Sequence, residues 1–219
     1  MKISPSSLEA QVIQSLVSPA GKKILQVGCW SGREMQALLC ENTQLTGIEL
    51  RQRRYQEIKD RFPQVEMIRA DYFDVELVES FDAVVFSSCL HHFKGGLDRK
   101  IEALHKARRM LTDEGKILVI EPAMDNVLCQ LAELFISERQ GIIQAFSAMH
   151  RSDLEIVRHQ RVVVDYSFVD FDDLCREFFM ADGYHVLKGH VVSIREYLEI
   201  EDENKPIFFS SITNLYILQ

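Results

Sequence analysis

The sequence predicts an α/β domain built on a doubly wound, mostly parallel sheet, and three observations carry that prediction. Between residues 22 and 121 the short apolar runs KKILQVG, QLTGIEL, QVEMIRA, FDAVVFSS and GKILVIE recur, each preceded by polar or turn residues. Strands buried on both faces of a parallel sheet have this continuous apolar character. The segments between them have helical spacing: Ile101, Leu104 and Leu111 fall on one side, Lys100, Glu102, Lys106 and Arg109 on the other. Finally, 219 residues at 47% hydrophobic and 26% charged suit one soluble α/β domain with room for one insertion. Strand and helix in alternation stack as helices over a sheet.

In chain order, a first helix is expected over Ser7 to Val17, stopped at Ser18-Pro19 because proline removes a donor and restricts the residue before it. The five strands and their helices follow. The interval from Pro122 to Tyr184 is too long for one crossover, where about a dozen residues suffice. Within it Val127, Leu128, Leu131, Leu134, Phe135, Ile142, Ile143 and Phe146 recur at helical spacing around a break at Gly141. Two helices are expected there, followed by the short apolar stretch RVVVDYSFVD. A helix over Asp170 to Ala181, with Gly183 near its end, leads to two late strands, HVLKGHVVSI and PIFFSSITNLYIL, joined by the polar loop REYLEIEDENKP. The chain therefore reads as a single domain, 1–219, with residues 123–168 as a helical cap inserted into it.

Composition excludes several classes. No apolar run approaches the roughly 18 to 20 residues that span a bilayer, and MKISPSSLEAQ lacks a signal-peptide profile, so a cytoplasmic protein with no membrane partner is expected. A formal net charge of -8 opposes polyanions, and no nucleic-acid partner is expected. Cys29, Cys40, Cys89, Cys129 and Cys175 are too scattered for a CxxC pair or a disulfide framework, and no metal is expected. The run Arg51-Gln-Arg53-Arg54 is followed by Glu57 and Asp60, which reads as a solvated helical face.

Chemistry gathers at strand ends. In Ile24-Leu-Gln-Val-Gly28-Cys-Trp-Ser-Gly32 a buried strand runs into a glycine turn and then a helix, which lets backbone N-H groups approach a nucleoside ligand. Trp30 and Arg33 break the strict GxGxxG pattern. About twenty residues on, Glu49 ends the second strand, where a carboxylate suits ribose hydroxyls. Arg69-Ala70-Asp71-Tyr72-Phe73 follows the third strand and Ser87-Ser88-Cys89-Leu90-His91-His92-Phe93 the fourth. All four lie at carboxyl ends of parallel strands, the place where open α/β sheets bind ligands.

In order and spacing, ILQVGCWSG, GIEL, RADYF, FDAVVFSSCLHHF and LTDEGKILVIEP resemble the motifs of the class I S-adenosylmethionine (SAM)-dependent methyltransferases, over about residues 8 to 122. The small-molecule enzymes of the ubiquinone and menaquinone biosynthesis group are similar. The resemblance implies a Rossmann-like seven-stranded, mostly parallel sheet with helices on both faces, an antiparallel last strand and a helical cap. It implies SAM as cofactor, S-adenosyl-L-homocysteine as product and a small-molecule acceptor as partner. Carried over by position, Gly28 and Gly32 would line the methionine end, Glu49 with Leu50 would hold the ribose, Asp71 would accept from the adenine amino group, Tyr72 would lie at the adenine edge, and Ser87 would face the sulfonium. Gln26 stands where the family has an acidic residue and Trp30 where it has a glycine; Trp30 either fills the pocket or forms a stacking wall.

His91 and His92 are the candidate catalytic bases, with a purely structural role as the alternative. His150 and His159, in the insertion, reach the site only if the insertion acts as a lid. The insertion itself reads as a cap over a small acceptor, with extra core or a homodimer contact as alternatives. The rival functions are a degenerate SAM-fold protein serving as a binding or scaffold module, a methyltransferase of protein or RNA groups, and, more remotely, a nicotinamide-dependent dehydrogenase.

Overall fold

A computed structural model describes residues 8–78, 80–133, 138–176 and 188–219. Its centre is one sheet of seven strands: β1 (Lys23–Val27), β2 (Gln44–Ile48), β3 (Glu66–Ile68), β4 (Phe81–Ser87), β5 (Leu111–Pro122), β6 (Ile156–Phe168) and β7 (Ile207–Leu218). They lie in the order β3-β2-β1-β4-β5-β7-β6. Pairing is parallel from β3 through β5, and β7 runs antiparallel to both β5 and β6. The mostly parallel, Rossmann-like sheet with an antiparallel last strand is therefore present. The order reverses between β1 and β4, and Gln26 in β1 sits in register with Gly47 of β2 and Val85 of β4.

The eight helices described are α1 (Leu8–Val17), α2 (Arg33–Leu38), α3 (Gln52–Arg61), α4 (Gly96–Arg109), α5 (Val127–Ala132), α6 (Arg139–Arg151), α7 (Phe171–Leu174) and α8 (Lys188–Tyr197). They cover both sheet faces, which is why the β1 run is buried at every position from Ile24 to Val27. On one face Ile24, Val85 and Leu118 pack with Ile13 of α1, Leu38 of α2, Ile58 of α3 and Ile194 of α8. On the other, Leu25, Val84 and Val119 pack with Leu104 and Ala107 of α4 and with Ala145 and Met149 of α6. In α4 the basic residues Lys106, Arg108 and Arg109 occupy the last turn, where the helix carbonyls favour positive charge.

The second half departs from the sequence expectation in three ways. The stretch RVVVDYSFVD is no short appendage: all but its last two residues lie within β6, where Val162, Val164, Tyr166 and Phe168 face the core and alternate with outward residues. The helical part of the expected cap thus ends at Arg151, and the chain that separates the two late strands is 169–206. HVLKGHVVSI is not a strand, because its described residues belong to α8. There Val191, Ile194 and Leu198 sit three and four positions apart and pack on one core, a helical spacing that overrides the β-branched content. The first three residues of the loop REYLEIEDENKP accordingly close α8. Of the expected helix over Asp170 to Ala181, α7 is present, with the Asp170 carboxylate accepting from the Asp173 N-H at 2.7 Å. Residues 177–187, with Gly183, lie outside the described residues, as do Ser7, Leu134 and Phe135.

A cavity at the switch point of the sheet

The carboxyl ends of β1 to β4 open into a cavity of about 510 Å³, within the range of small-molecule sites. Gly28, Trp30, Glu49, Leu50, Asp71, Tyr72, Ser87 and His92 all line it. Four loops that are distant in sequence therefore converge, as the sequence expects of a parallel sheet's strand ends.

Each wall is fixed by an identifiable interaction. Gly28 has φ 73°, and a Cβ there would come 2.6 Å from Cβ of Cys89, so the first turn can approach the fourth-strand loop only as glycine. Trp30 at φ 38° and Ser88 at φ 47° hold conformations that side-chain-bearing residues rarely adopt, one on each flank of the opening. Glu49 is 7% exposed. One of its oxygens accepts from the Cys29 and Trp30 amides at 3.0 and 3.2 Å, and the other accepts from the Arg51 amide at 2.9 Å. The carboxylate thus fastens the glycine turn to β2, and the oxygen bonded to the Arg51 amide alone retains a lone pair for a further donor.

Asp71 is exposed and caps the short turn Tyr72–Asp74 by accepting from the Phe73 N-H at 2.9 Å. Lys106 of α4 clamps the same loop, donating to the carbonyls of Tyr72, Phe73 and Val75. Tyr72 forms floor more than edge: its ring stacks on Phe93, and its hydroxyl donates to the Ala103 carbonyl at 3.2 Å. Leu50, 62% exposed, projects from the rim. Arg99 lays its guanidinium over Phe73 at 3.4 Å.

Three residues expected at the site stand behind the wall. Gln26 is fully buried beneath it, donating to the Ser87 hydroxyl at 2.9 Å, and its side-chain carbonyl oxygen has no partner. Gly32 faces away: a Cβ there would meet Phe62 and Ile58 at 2.6 and 2.7 Å, so this glycine serves the packing of α3 on the turn. His91 is buried behind the fourth-strand loop, its Nδ1 2.5 Å from a carboxylate oxygen of Glu121 at the end of β5. Burial disfavours its charged form, yet Glu121, by charge and by hydrogen bond, together with Glu138, outweighs burial and raises its pKa above the ordinary value. His92 is in the wall, 40% of its side chain exposed. The partial burial of its ring and the positive neighbours His91, Arg51 and Lys100 push its pKa well below the ordinary value.

Other expectations are displaced. His159 is bonded to Asn214 at 3.0 Å and stacked on Tyr216 in the β6–β7 pair, and His150 lines a separate shallow depression with Met124 and Phe146. Neither lines the main cavity. The run after β2 is not a uniformly solvated face: Arg53 is exposed, but the Arg54 side chain is 3% exposed and lines the cavity. Sequence reading also missed Cys89, Phe93, Lys94 and Arg99 in the wall, and the carboxylates of Glu121 and Glu138 beside the histidines. No helix among the described residues is long and apolar enough to cross a membrane.

A seven-stranded sheet in this order, with a carboxylate at the end of β2 and a glycine turn after β1, defines the class I methyltransferase architecture. Residues 25–119 match the family model described as "Methyltransferase domain". An uncharacterized methyltransferase of Alkaliphilus oremlandii is 26% identical over 102 residues, 47% of this chain and 46% of that protein. The chain spans about half the length of the curated relatives it matches. Among solved structures, a candidate methyltransferase of Bacillus halodurans C-125 superposes with a TM-score of 0.68 at 12% identity, covering 97% of this chain and 98% of that one. Coclaurine N-methyltransferase, bound to N-methylheliamine and S-adenosylhomocysteine, gives a TM-score of 0.60 at 12% identity over 100% of this chain and 75% of that one. These two likenesses are likenesses of fold.

Proposed function

We propose that the protein transfers the methyl group of SAM to a small-molecule acceptor and releases S-adenosylhomocysteine. The observation that carries this reading is the convergence of Gly28, Glu49, Asp71 and Ser87 on one cavity, above a buried glutamine oxygen that lacks a donor. That donor set fits the cofactor. Glu49 would accept from the ribose hydroxyls and Asp71 from the adenine amino group. Leu50 and Trp30 would supply apolar walls, and Gln26, from behind Ser87, would accept from the ammonium of the methionine portion. Bound there, SAM supplies an electrophilic methyl on a sulfonium.

The chain's own part is alignment. A nucleophile held in line about 3 to 3.5 Å from the methyl carbon gains much of its rate from that placement. His92 is the imidazole of the fourth-strand loop that reaches the cavity wall, and it is the group placed to take a proton from an acceptor. His91, behind it, is a positioning residue. Helices α5 and α6 follow β5 and act in this reading as the cap, because α6 packs directly on the His91 loop.

A small acceptor is supported by the acidic chain, which opposes polyanions, and by the small amine held in coclaurine N-methyltransferase. A cytoplasmic setting belongs to the same reading, since the described cysteines are free thiols. Calorimetric titration with SAM and with S-adenosylhomocysteine tests the proposal. The expected dissociation constant is on the order of 1 to 100 μM, weakened at least about tenfold, or 1.4 kcal/mol, in Glu49→Ala. No binding at millimolar ligand would overturn it in favour of a scaffold that has lost the cofactor.

A further inference from the structure

We propose that His91, His92 and Glu138 form a binding site for a divalent transition-metal ion, with Zn2+ the best match to its donors, at the edge of the cavity. Nε2 of His91 and Nδ1 of His92 each lie 3.9 Å from a different oxygen of Glu138. One donor atom from each residue lies within 4.8 Å of the others. A separation of 3.9 Å is too long for a hydrogen bond, whose nitrogen–oxygen distance runs about 2.7 to 3.2 Å. Tetrahedral ligands that share an ion at bonds of roughly 2.0 to 2.2 Å stand about 3.3 to 3.6 Å apart, so a shift of a few tenths of an ångström brings these groups onto one.

The arrangement around the three residues is that of a prepared site. Glu121, fully buried, engages Nδ1 of His91 at 2.5 Å, and its other oxygen accepts from the His91 backbone N-H at 3.3 Å. A proton on Nδ1 leaves the Nε2 lone pair directed at Glu138, the carboxylate–histidine arrangement that orients metal-binding imidazoles and raises their basicity. Glu138 is brought to the histidines by the fold. It stands at the N-terminus of α6, and that helix approaches so closely that a Cβ on Gly141 would lie 2.6 Å from the His91 carbonyl oxygen. The Leu90–His92 turn is held from the other side by Lys100, whose Nζ donates to the Phe93 carbonyl.

Two imidazoles and one carboxylate are a donor set for Zn2+ with an open coordination position. Of the three, His92 is part of the cavity wall, which puts the site at the cavity's edge. Resting on the methyltransferase reading, with His92 then serving as a ligand in place of a base, a metal-bound position there would hold an oxygen of the acceptor as its anion, with the proton lost to solvent before the methyl is transferred. An acceptor bearing an ionisable hydroxyl or enol follows from that chemistry.

The test uses the full chain, freed of metal by chelator, titrated with Zn2+ by calorimetry and with Co2+ by visible absorption. The expected result is one ion per chain with the absorption of a low-coordinate nitrogen and oxygen environment. Affinity should fall at least about tenfold in His92→Ala and in Glu138→Ala, and about 10- to 100-fold in Glu121→Gln. It should stay unchanged in His159→Ala, which alters a histidine on the far strand pair. Circular dichroism establishes that each variant is folded, and Glu138→Ala, at the N-terminus of α6, keeps the test open if a histidine variant unfolds. No uptake at millimolar Co2+, or equal uptake by Glu138→Ala and the wild type, would overturn the proposal. SAM titration of the same samples separates the two readings: SAM binding without metal defeats this site alone, and metal binding without SAM defeats the methyltransferase reading alone.

Discussion

Glu49 performs two tasks with one carboxylate. It holds the glycine turn by two amide hydrogen bonds and its own loop by a third, and it presents what remains of its acceptor capacity to the cavity. Alone in the sequence it reads equally as a solvated strand-end carboxylate, and its signal came from its spacing to the other strand-end motifs. Gln26 was visible as a substitution, but its burial behind Ser87 was not, since side-chain direction depends on which strands flank β1. A carboxylate in place of the unpartnered Gln26 oxygen would make a charge-assisted contact to an ammonium, worth about 1 kcal/mol more than a neutral one. Gln26→Glu is accordingly expected to bind SAM about fivefold more tightly while binding of an analogue lacking the ammonium does not improve, as read by calorimetry. Equal tightening for both ligands would mean that the Gln26 oxygen does not face the amino group.

Among the elements, β1 and β4 were the most legible strands because burial on both faces writes an apolar run that needs no knowledge of neighbours. Of the late elements, β7 was legible as PIFFSSITNLYIL, whereas β6 and α8 were not, for the same reason in reverse. β6 has one buried face, so half its residues are polar, and α8 has β-branched residues whose helical spacing shows only against the core they meet. Contacts between elements were also hidden. Gly141 reads as a helix break, yet it lies inside α6 and marks the point where that helix touches the His91 loop. In an exposed helix, glycine to alanine gains about 1 kcal/mol. Here the added methyl meets backbone, and Gly141→Ala is expected to cost about 1 to 3 kcal/mol in urea unfolding instead. The same variant should move Glu138 off the histidines and weaken Co2+ uptake; a gain in stability would contradict the packing described.

At the scale of the whole molecule, Arg33 joins pieces that the sequence gives no reason to connect. Its guanidinium, 3% exposed, pairs with Glu9 of α1, reaches Glu34 of α2 at 3.4 Å, and lies over the Tyr166 ring of β6 at 5.0 Å. An arginine just after a glycine turn looks like a solvated first-turn residue, and only the position of β6 at the far end of the sheet order reveals otherwise. Removing it strands two carboxylates in the interior, so Arg33→Ala is expected to lose about 3 to 5 kcal/mol. The double change Arg33→Met with Glu9→Leu should recover much of that loss. Denaturant unfolding of the single and double variants measures both, and a loss below about 1 kcal/mol for Arg33→Ala would show that the buried cluster is tolerant of an unpaired carboxylate.

The sheet order also has a consequence in time. β7 lies between β5 and β6, so β6 has no neighbour to join until residues 207–218 exist. At translation rates of about 5 to 20 residues per second, the 39 positions from Phe168 to Ile207 leave that strand waiting roughly 2 to 8 s. During this interval β1 to β5, which carry every strand end lining the cavity, are already synthesised. Emergence from the ribosome thus divides the molecule into an early half that can assemble its ligand-binding edge and a late strand that must be sheltered until its partner arrives.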